Sequence, residues 1–389
     1  MYGMKFSFKS QCLKSRALKG LALTTLLTLG LGVSQDSQAS QGTPPEFRVT
    51  AILPVSGALD ARGQDLRLGL ELAGDHLSTQ YGLRVKLNVL DNKSSNVEAG
   101  LLAKSIDSMK EKPHIVIGGV NELSARAIKL HLEKAQVPMI FPVLQESSLL
   151  RGSRFVHSLS ATPTTWIKKA WELSAKDLRA KKVVIFMPLA QGGIDAFLGE
   201  AQKHKPKGVE LKVFSYGESQ PDKEKILNDA YEFRPDVMWV PWADERLELM
   251  IKGMKARAWT RPFIGFELWD FKSWKEKLGD SWKGHYLLRQ YSPEFDSDLA
   301  KDFRKLLKNS KIEGEVRDDL ALSFEALVLA GKAFHKSAYR AEGLTFVKVL
   351  RRLGKFEGLS GSYPIRPDGQ IDHPVLKVET TASGFRLLN

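Results

Sequence analysis

FRVTAILPVSGALDARGQDLRLGLELAGDHLSTQYG (47–82), continued by RVKLNVLD (84–91), holds the pattern from which the architecture is read. Residues 47–55 are a short apolar run rich in β-branched side chains, stopped by Pro54, and read as a strand. Over 63–82, Leu66, Leu70, Ala73 and Leu77 recur at helical spacing. A second strand at 84–91 follows. A strand, a helix and a strand in that order predict a crossover between parallel neighbours.

The rhythm continues outward. NVEAGLLAKSIDSMK (96–110) reads as a helix, HIVIGG (114–119) as a strand, ELSARAIKLHLEKA (122–135) as a helix and VPMIFPV (137–143) as a strand. His114, Ile115, Val116 and Ile117 read as a central strand, because the apolar residues face both ways. The alternation restarts after Pro163, with helices at 164–178, 194–204, 222–233, 245–258 and 269–279, and strands at 181–189, 209–217, 235–242, 261–267 and 284–291. Three helical patterns follow at 296–309, 318–337 and 344–354, then a Gly/Pro/Asp-punctuated β segment with two hairpin-like turns at 358–387. The fold class expected is α/β, with two doubly wound parallel-sheet lobes. Ligands of open α/β sheets sit beyond the carboxyl ends of the strands, so two facing sheets define a cleft that hinge closure can shut.

The chain of 389 residues is 43% hydrophobic and 26% charged, an ordinary globular mix. Its N-terminus reads as an address. Lys5, Lys9, Lys14, Arg16 and Lys19 precede an apolar run at 21–33, then Ser37-Gln38-Ala39, the layout of a signal peptide cleaved after residue 39. Removing 1–39 lowers the formal charge from +13 to +9 and removes Cys12, the one cysteine. Bases and acids alternate along the rest, so no nucleic-acid partner is expected.

Enzyme chemistry lacks its residues. With no cysteine in the mature chain and no G-x-S-x-G elbow, nucleophilic hydrolysis has no candidate. Gly358-Leu359-Ser360-Gly361 reads instead as a turn into a strand. The eight histidines make neither H-x-x-x-H nor H-E-x-x-H, and no glycine-rich phosphate loop occurs. Asp318-Asp319 opens a helix and reads as a complement to its dipole. No catalytic residue, metal or cofactor is expected. Arg62 is a candidate to reach the cleft and meet an anion.

Four segments carry a family resemblance. Ile52-Leu53-Pro54-Val55-Ser56-Gly57 resembles the opening of type I periplasmic binding proteins, above all the branched-chain amino-acid (Leu/Ile/Val) binding proteins that serve as substrate-binding components of ABC transporters. Val89-Leu90-Asp91-Asn92 is similar to that family's second strand and acidic turn. Residues 115–119 with Ser124, Ala125 and 137–140 resemble its first-lobe cleft segment, and 356–361 with Pro367-Asp368-Gly369 its closing segment. The resemblance implies lobe one at 45–160 plus 291–362, lobe two at 161–290 plus 363–389, and a three-crossover hinge near 159–161, 289–291 and 362–365.

It also implies a site. The ligand's carboxylate would meet the starts of two lobe-one helices, at Leu123 and Ser124 and at Leu144 and Gln145, where backbone N–H groups bind anions. Leu123 and Gln145 stand where hydroxyls are expected, so the side-chain half of that clamp is reduced to Ser124. From lobe two, Trp242 and Ala243 would contact the ligand and Glu267 its ammonium group. Trp166 and Trp269 could extend an aromatic wall. The function implied is an exported, periplasmic, monomeric carrier of a small polar, amino-acid-like ligand for an ABC permease or sensor. The alternative is an envelope protein–protein module on the same scaffold, resembling activators of peptidoglycan synthases.

Overall fold

In the computed structural model, which describes residues 43–144, 147–188, 194–216, 220–242, 253–254, 256–266, 271–312, 315–340, 342–382 and 384–388, the strand–helix alternation is realised twice. The first series is β1 (Glu46–Leu53), α1 (Asp60–Tyr81), β2 (Arg84–Asp91), α2 (Asn96–Asp107), β3 (Ile115–Gly118), α3 (Glu122–Ala135), β4 (Met139–Phe141) and β5 (Val156–Ser158). Its strands form one parallel sheet in the order β2-β1-β3-β4-β5. All four residues of β3 are buried, as expected of a strand covered on both faces.

The second series is α4 (Pro163–Trp171), a π-helical turn over Glu172–Asp177, β6 (Lys182–Pro188), α5 (Ile194–Lys203), β7 (Glu210–Tyr216), α6 (Gln220–Phe233), β8 (Val237–Val240), β9 (Phe263–Gly265), α7 (Phe271–Leu278) and β10 (Tyr286–Arg289). After it come α8 (Asp298–Asn309), α9 (Asp318–Lys336), α10 (Gly343–Arg352), the hairpin β11 (Lys355–Gly358) and β12 (Gly361–Pro364), and the hairpin β13 (Leu376–Thr380) and β14 (Phe385–Leu388). The second sheet has the order β14-β13-β10-β9-β8-β6-β7. Its edge differs from an all-parallel expectation: β13 pairs antiparallel with β10 and with β14. The short link from β13 to β14 can only reverse the chain, since a parallel return needs a long crossover. The signal segment expected at 1–39 and most of the helix expected at 245–258 lie outside the described residues.

Helix α9 organises the first half. Sixteen of its 19 residues are buried, so it is a core helix and not an amphipathic cover. It packs on α1 where Gly69 lies: a Cβ there would stand 2.1 Å from Ser323 Oγ and 2.2 Å from the Leu320 carbonyl. The Leu66, Leu70, Ala73 and Leu77 stripe of α1 is fully buried against this helix and the sheet.

The chain passes between the two sheets after β5, after β10 and after β12, and a buried polar lattice laces these passages. Gln290, 0% exposed, donates its N–H to Asp318 Oδ2 at 2.7 Å, and its side-chain oxygen accepts from the Ala161 N–H. Ser360 Oγ donates to the Gln290 carbonyl at 2.7 Å, and Gln370 Nε2 to the Ser160 carbonyl at 2.9 Å. From α9, Glu325 accepts from the Tyr363 hydroxyl at 2.7 Å and meets His373 Nε2 at 3.0 Å. Burial beside that carboxylate pushes the Tyr363 phenol well up, so it stays a donor.

Asp318 and Asp319 do more than suit a helix dipole. Asp318 accepts from Arg289 Nη2 at 2.9 Å, and Asp319 holds Arg62 in a fork at 2.8 and 2.9 Å. The Arg62 guanidinium is thereby committed to the first half's own core helix.

Candidate functional site

The carboxyl ends of the first sheet are polar, and Ser56, Asp91, Ser94, Asn121 and Ser124 are bonded locally, while among the described residues the buried Asn96 Oδ1 beyond β2 finds no donor. Beyond β1, the Ser56 hydroxyl donates to Asp91 Oδ2 at 2.6 Å, and the Lys93 N–H donates to Asp91 Oδ1 at 2.8 Å. Ser94 Oγ donates to the Ser56 carbonyl at 2.8 Å and accepts the Leu59 N–H at 3.0 Å. Burial pushes the Asp91 carboxyl up, but the Ser56 hydroxyl and the N–H groups around it outweigh this and leave it below the ordinary range. The acidic turn is thus a latch between the ends of β1 and β2.

Beyond β3, Gly118 and Gly119 carry the chain past its neighbours. A Cβ at Gly118 would lie 2.3 Å from the Ile52 carbonyl, and Gly119 has φ +77° against the Phe141 ring. Asn121 then caps α3, its side chain accepting the Ser124 N–H at 2.9 Å. Ser124 is 1% exposed and its hydroxyl donates to the Asn121 carbonyl at 3.0 Å. A ligand carboxylate would therefore compete with the cap for both Ser124 donors. Leu123, one residue earlier, is 63% exposed. Leu144, beyond β4, is buried and its carbonyl accepts the Ser158 hydroxyl at 2.8 Å.

The carboxyl ends of the second sheet are aromatic. Val237–Val240 of β8 runs through Pro241 into Trp242, which is half-buried, and β9 ends at Gly265 before Phe266, which is buried. Phe197 of α5 bridges them, with its ring 5.2 Å from Trp242 and 5.7 Å from Phe266, both edge-on. Phe266 also stacks 6.1 Å from Trp166 of α4 and lies 6.2 Å from Trp239. Each such pair adds about 0.5–1.5 kcal/mol beyond the area it buries. The Trp166 indole N–H finds no acceptor among the described residues. The start of α4 beside this cluster is capped by Thr162, and Thr164 donates to Glu200 Oε2 of α5 at 2.6 Å. That hydroxyl, with Lys203, holds the Glu200 carboxyl below its usual range.

Of the residues singled out from sequence, Leu123, Ser124 and Leu144 belong to the first sheet's strand ends and Trp242 to the second's. Among the described residues no hydrogen bond or ring contact joins the two groups. Gln145, Ala243, Glu267 and Trp269 lie outside the described residues. Sequence reading missed Phe197 and the part played by Phe266. Phe266 was readable as the apolar residue directly before a strand-end acid. Phe197 has no local signal, because it meets Trp242 only through the packing of α5 on the sheet. Among the described residues no group of three or more His, Cys, Asp or Glu could hold a metal ion, and no helix is long and apolar enough to cross a membrane.

A family model described as periplasmic binding protein matches residues 46–384. No curated protein matches the chain. Among solved structures, the leucine binding protein LivK of Thermotoga maritima is 22% identical, with a TM-score of 0.75 over 88% of this chain and 98% of that one. The branched-chain amino acid transporter substrate binding protein LivJ of Streptococcus pneumoniae, in complex with isoleucine, is 18% identical, with a TM-score of 0.73 over 88% of this chain and 99% of that one. A solute binding protein of R. palustris, in complex with benzoate, is 18% identical, with a TM-score of 0.71 over 88% and 96%. At these identities the likeness shows the fold: two lobes, each built on a largely parallel sheet.

Proposed function

Since this chain belongs to the periplasmic binding protein family, we propose that it is an exported solute-binding protein that delivers a small ligand to an ABC importer or sensor. The lobes would be 45–160 plus 291–362 and 161–290 plus 363–389, hinged at the three laced passages. Residues 1–39 would direct export, and the carrier would act as a monomer. The ligand is read as a small polar molecule, amino-acid-like, with an apolar side chain or ring.

One observation carries this choice of ligand. Trp242, Phe197 and Phe266 form an apolar wall at the carboxyl ends of β8 and β9, where α/β sheets present their ligands. The first lobe would add backbone N–H groups at the start of α3 with Leu123 and Ser124, and beyond β4 with Leu144 and Gln145. Ala243 and Glu267 would complete the second lobe's side, with Glu267 taking an ammonium group. Isoleucine in one structural neighbour and benzoate in another each join a carboxylate to an apolar body, the ligand class read here.

Thermal unfolding against leucine, isoleucine, phenylalanine, benzoate and a broader panel of small polar metabolites tests the reading. A ligand at about 100 times its dissociation constant adds about 2.7 kcal/mol of stability. No shift across the whole panel would overturn carriage in favour of the envelope-module reading. Where an amino acid binds, Glu267→Gln is expected to weaken it by about tenfold, and unchanged affinity would remove Glu267 from the site.

A further inference from the structure

A second cavity, of about 390 Å³, opens between α8, the passage after β10 and the start of β14. It shares no residue with the strand-end cluster. Its body is apolar, formed by Leu307, Ile312, Val316 and the Phe385 ring. Tyr291 lines it and is 2% exposed, yet among the described residues its hydroxyl has no hydrogen-bond partner. Burial pushes that phenol up to about 12, so it remains protonated at any ordinary pH. The hydroxyl is not sealed from solvent: it opens on the cavity, where it is an offered donor.

Charge on the lining is uneven. Lys308 and Lys311 are exposed on the rim, and among the described residues neither has a carboxylate in ion-pair range. Arg289 is engaged by Asp318 and, at 2.6 Å, by Glu315, the one acid of the lining among the described residues. Arg304 is spent on the Pro293 and Phe295 carbonyls. The left-handed Lys311, at φ +55°, folds the chain back so that the Ile312 N–H reaches the Leu307 carbonyl and Ile312 joins the lining. Cations at the C-terminal end of α8 also suit its dipole. The dipole does not account for the phenol hydroxyl that opens on the apolar chamber beneath them.

We propose that this cavity is a second binding site, for a small organic anion with an apolar body. The body lies on Leu307, Ile312, Val316 and Phe385, an oxygen accepts from the Tyr291 hydroxyl, and Lys308 and Lys311 balance the charge. The volume falls within the range of small-molecule pockets. The site joins α8, which packs on the first half's core, to β14 of the second sheet, so its occupant bridges elements on both sides of the passage.

Octanoate is the probe, titrated calorimetrically into the chain without residues 1–39, with octanol as the uncharged control. Saturable octanoate binding is expected, with octanol weaker by about tenfold or more. Lys308→Glu with Lys311→Glu, both on the surface, should weaken octanoate by about tenfold or more. Tyr291→Phe, which keeps the ring and its packing, should weaken it about threefold to tenfold. Trp242→Ala should leave it unchanged. Absence of saturable binding overturns the proposal. So does binding that survives the double charge reversal, binding indifferent to the charge of the probe, or binding lost only with Trp242→Ala, which would move octanoate to the strand-end wall.

Discussion

The two sets of strand ends differ in how they have spent their hydrogen bonds. Beyond β1, β2 and β3, Ser56, Asp91, Ser94, Asn121 and Ser124 bond one another and their own backbone. Beyond β8 and β9, the half-buried Trp242 stands edge-on to Phe197, which the buried Phe266 ring backs. A set of donors already satisfied locally gains little by turning to a ligand, because the net value of an exchanged hydrogen bond is small. An apolar surface gains from every area it loses to water. On the proposed function, the polar strand ends are therefore expected to fix shape and the aromatic ones to supply affinity, the reverse of what the hydroxyl-and-acid reading of the sequence leads one to expect.

Four substitutions or titrations break or sharpen that contrast, beginning with the largest effect. Phe266→Ala removes the ring shared by Trp166, Phe197 and Trp239, so chemical denaturation should show a loss of about 3–5 kcal/mol. A loss below 1 kcal/mol would mean the cluster is not a packed unit.

Acid should act on the first sheet next. Burial lowers His157 to about 3 and His114 to about 4, with nearby arginines adding to both shifts. Both folded values lie below the unfolded value of about 6.5, so the stabilisation is complete above that pH and drains away as pH falls below it. By pH 5 each histidine should have cost about 2 kcal/mol. His157→Asn should flatten its share of the slope in urea titrations run from pH 7 to pH 5; an unchanged slope would place the acid sensitivity elsewhere.

Trp242→Ala changes a half-buried ring at the wall's edge. Ligand affinity should fall about tenfold, with little change in melting temperature. Ser124→Ala is the smallest: it should cost about 1 kcal/mol of stability and leave affinity within about twofold. A Ser124→Ala loss equal to that of Trp242→Ala would return the polar clamp to the centre of the account.

Much of this was legible in residues. The stripe of α1 and the two-sided burial of β3 followed from spacing alone, because periodicity reports which face is covered. The closing hairpin was visible as Gly/Pro/Asp punctuation, though not its antiparallel seat on β10, which depends on which sheet edge is free. Motif order put Ser124 in the first turn of the helix after β3 and Trp242 just beyond β8, which is where they stand in the fold. What spacing could not show is that Asn121 consumes the Ser124 donors, or that Phe197 joins Trp242. Each is a contact between a side chain and a group whose availability only three-dimensional packing decides. Arg62 and Asp319 make the same point: 257 positions apart, they form a fork that no local pattern announces.

The heat-capacity change of binding, from calorimetric titrations of the best ligand at several temperatures, tests the central contrast most directly. Burial of an apolar ligand face against Trp242, Phe197 and Phe266 predicts a clearly negative value that shrinks in Trp242→Ala. A value near zero, or one equally negative in the variant, would contradict an aromatic wall as the source of affinity.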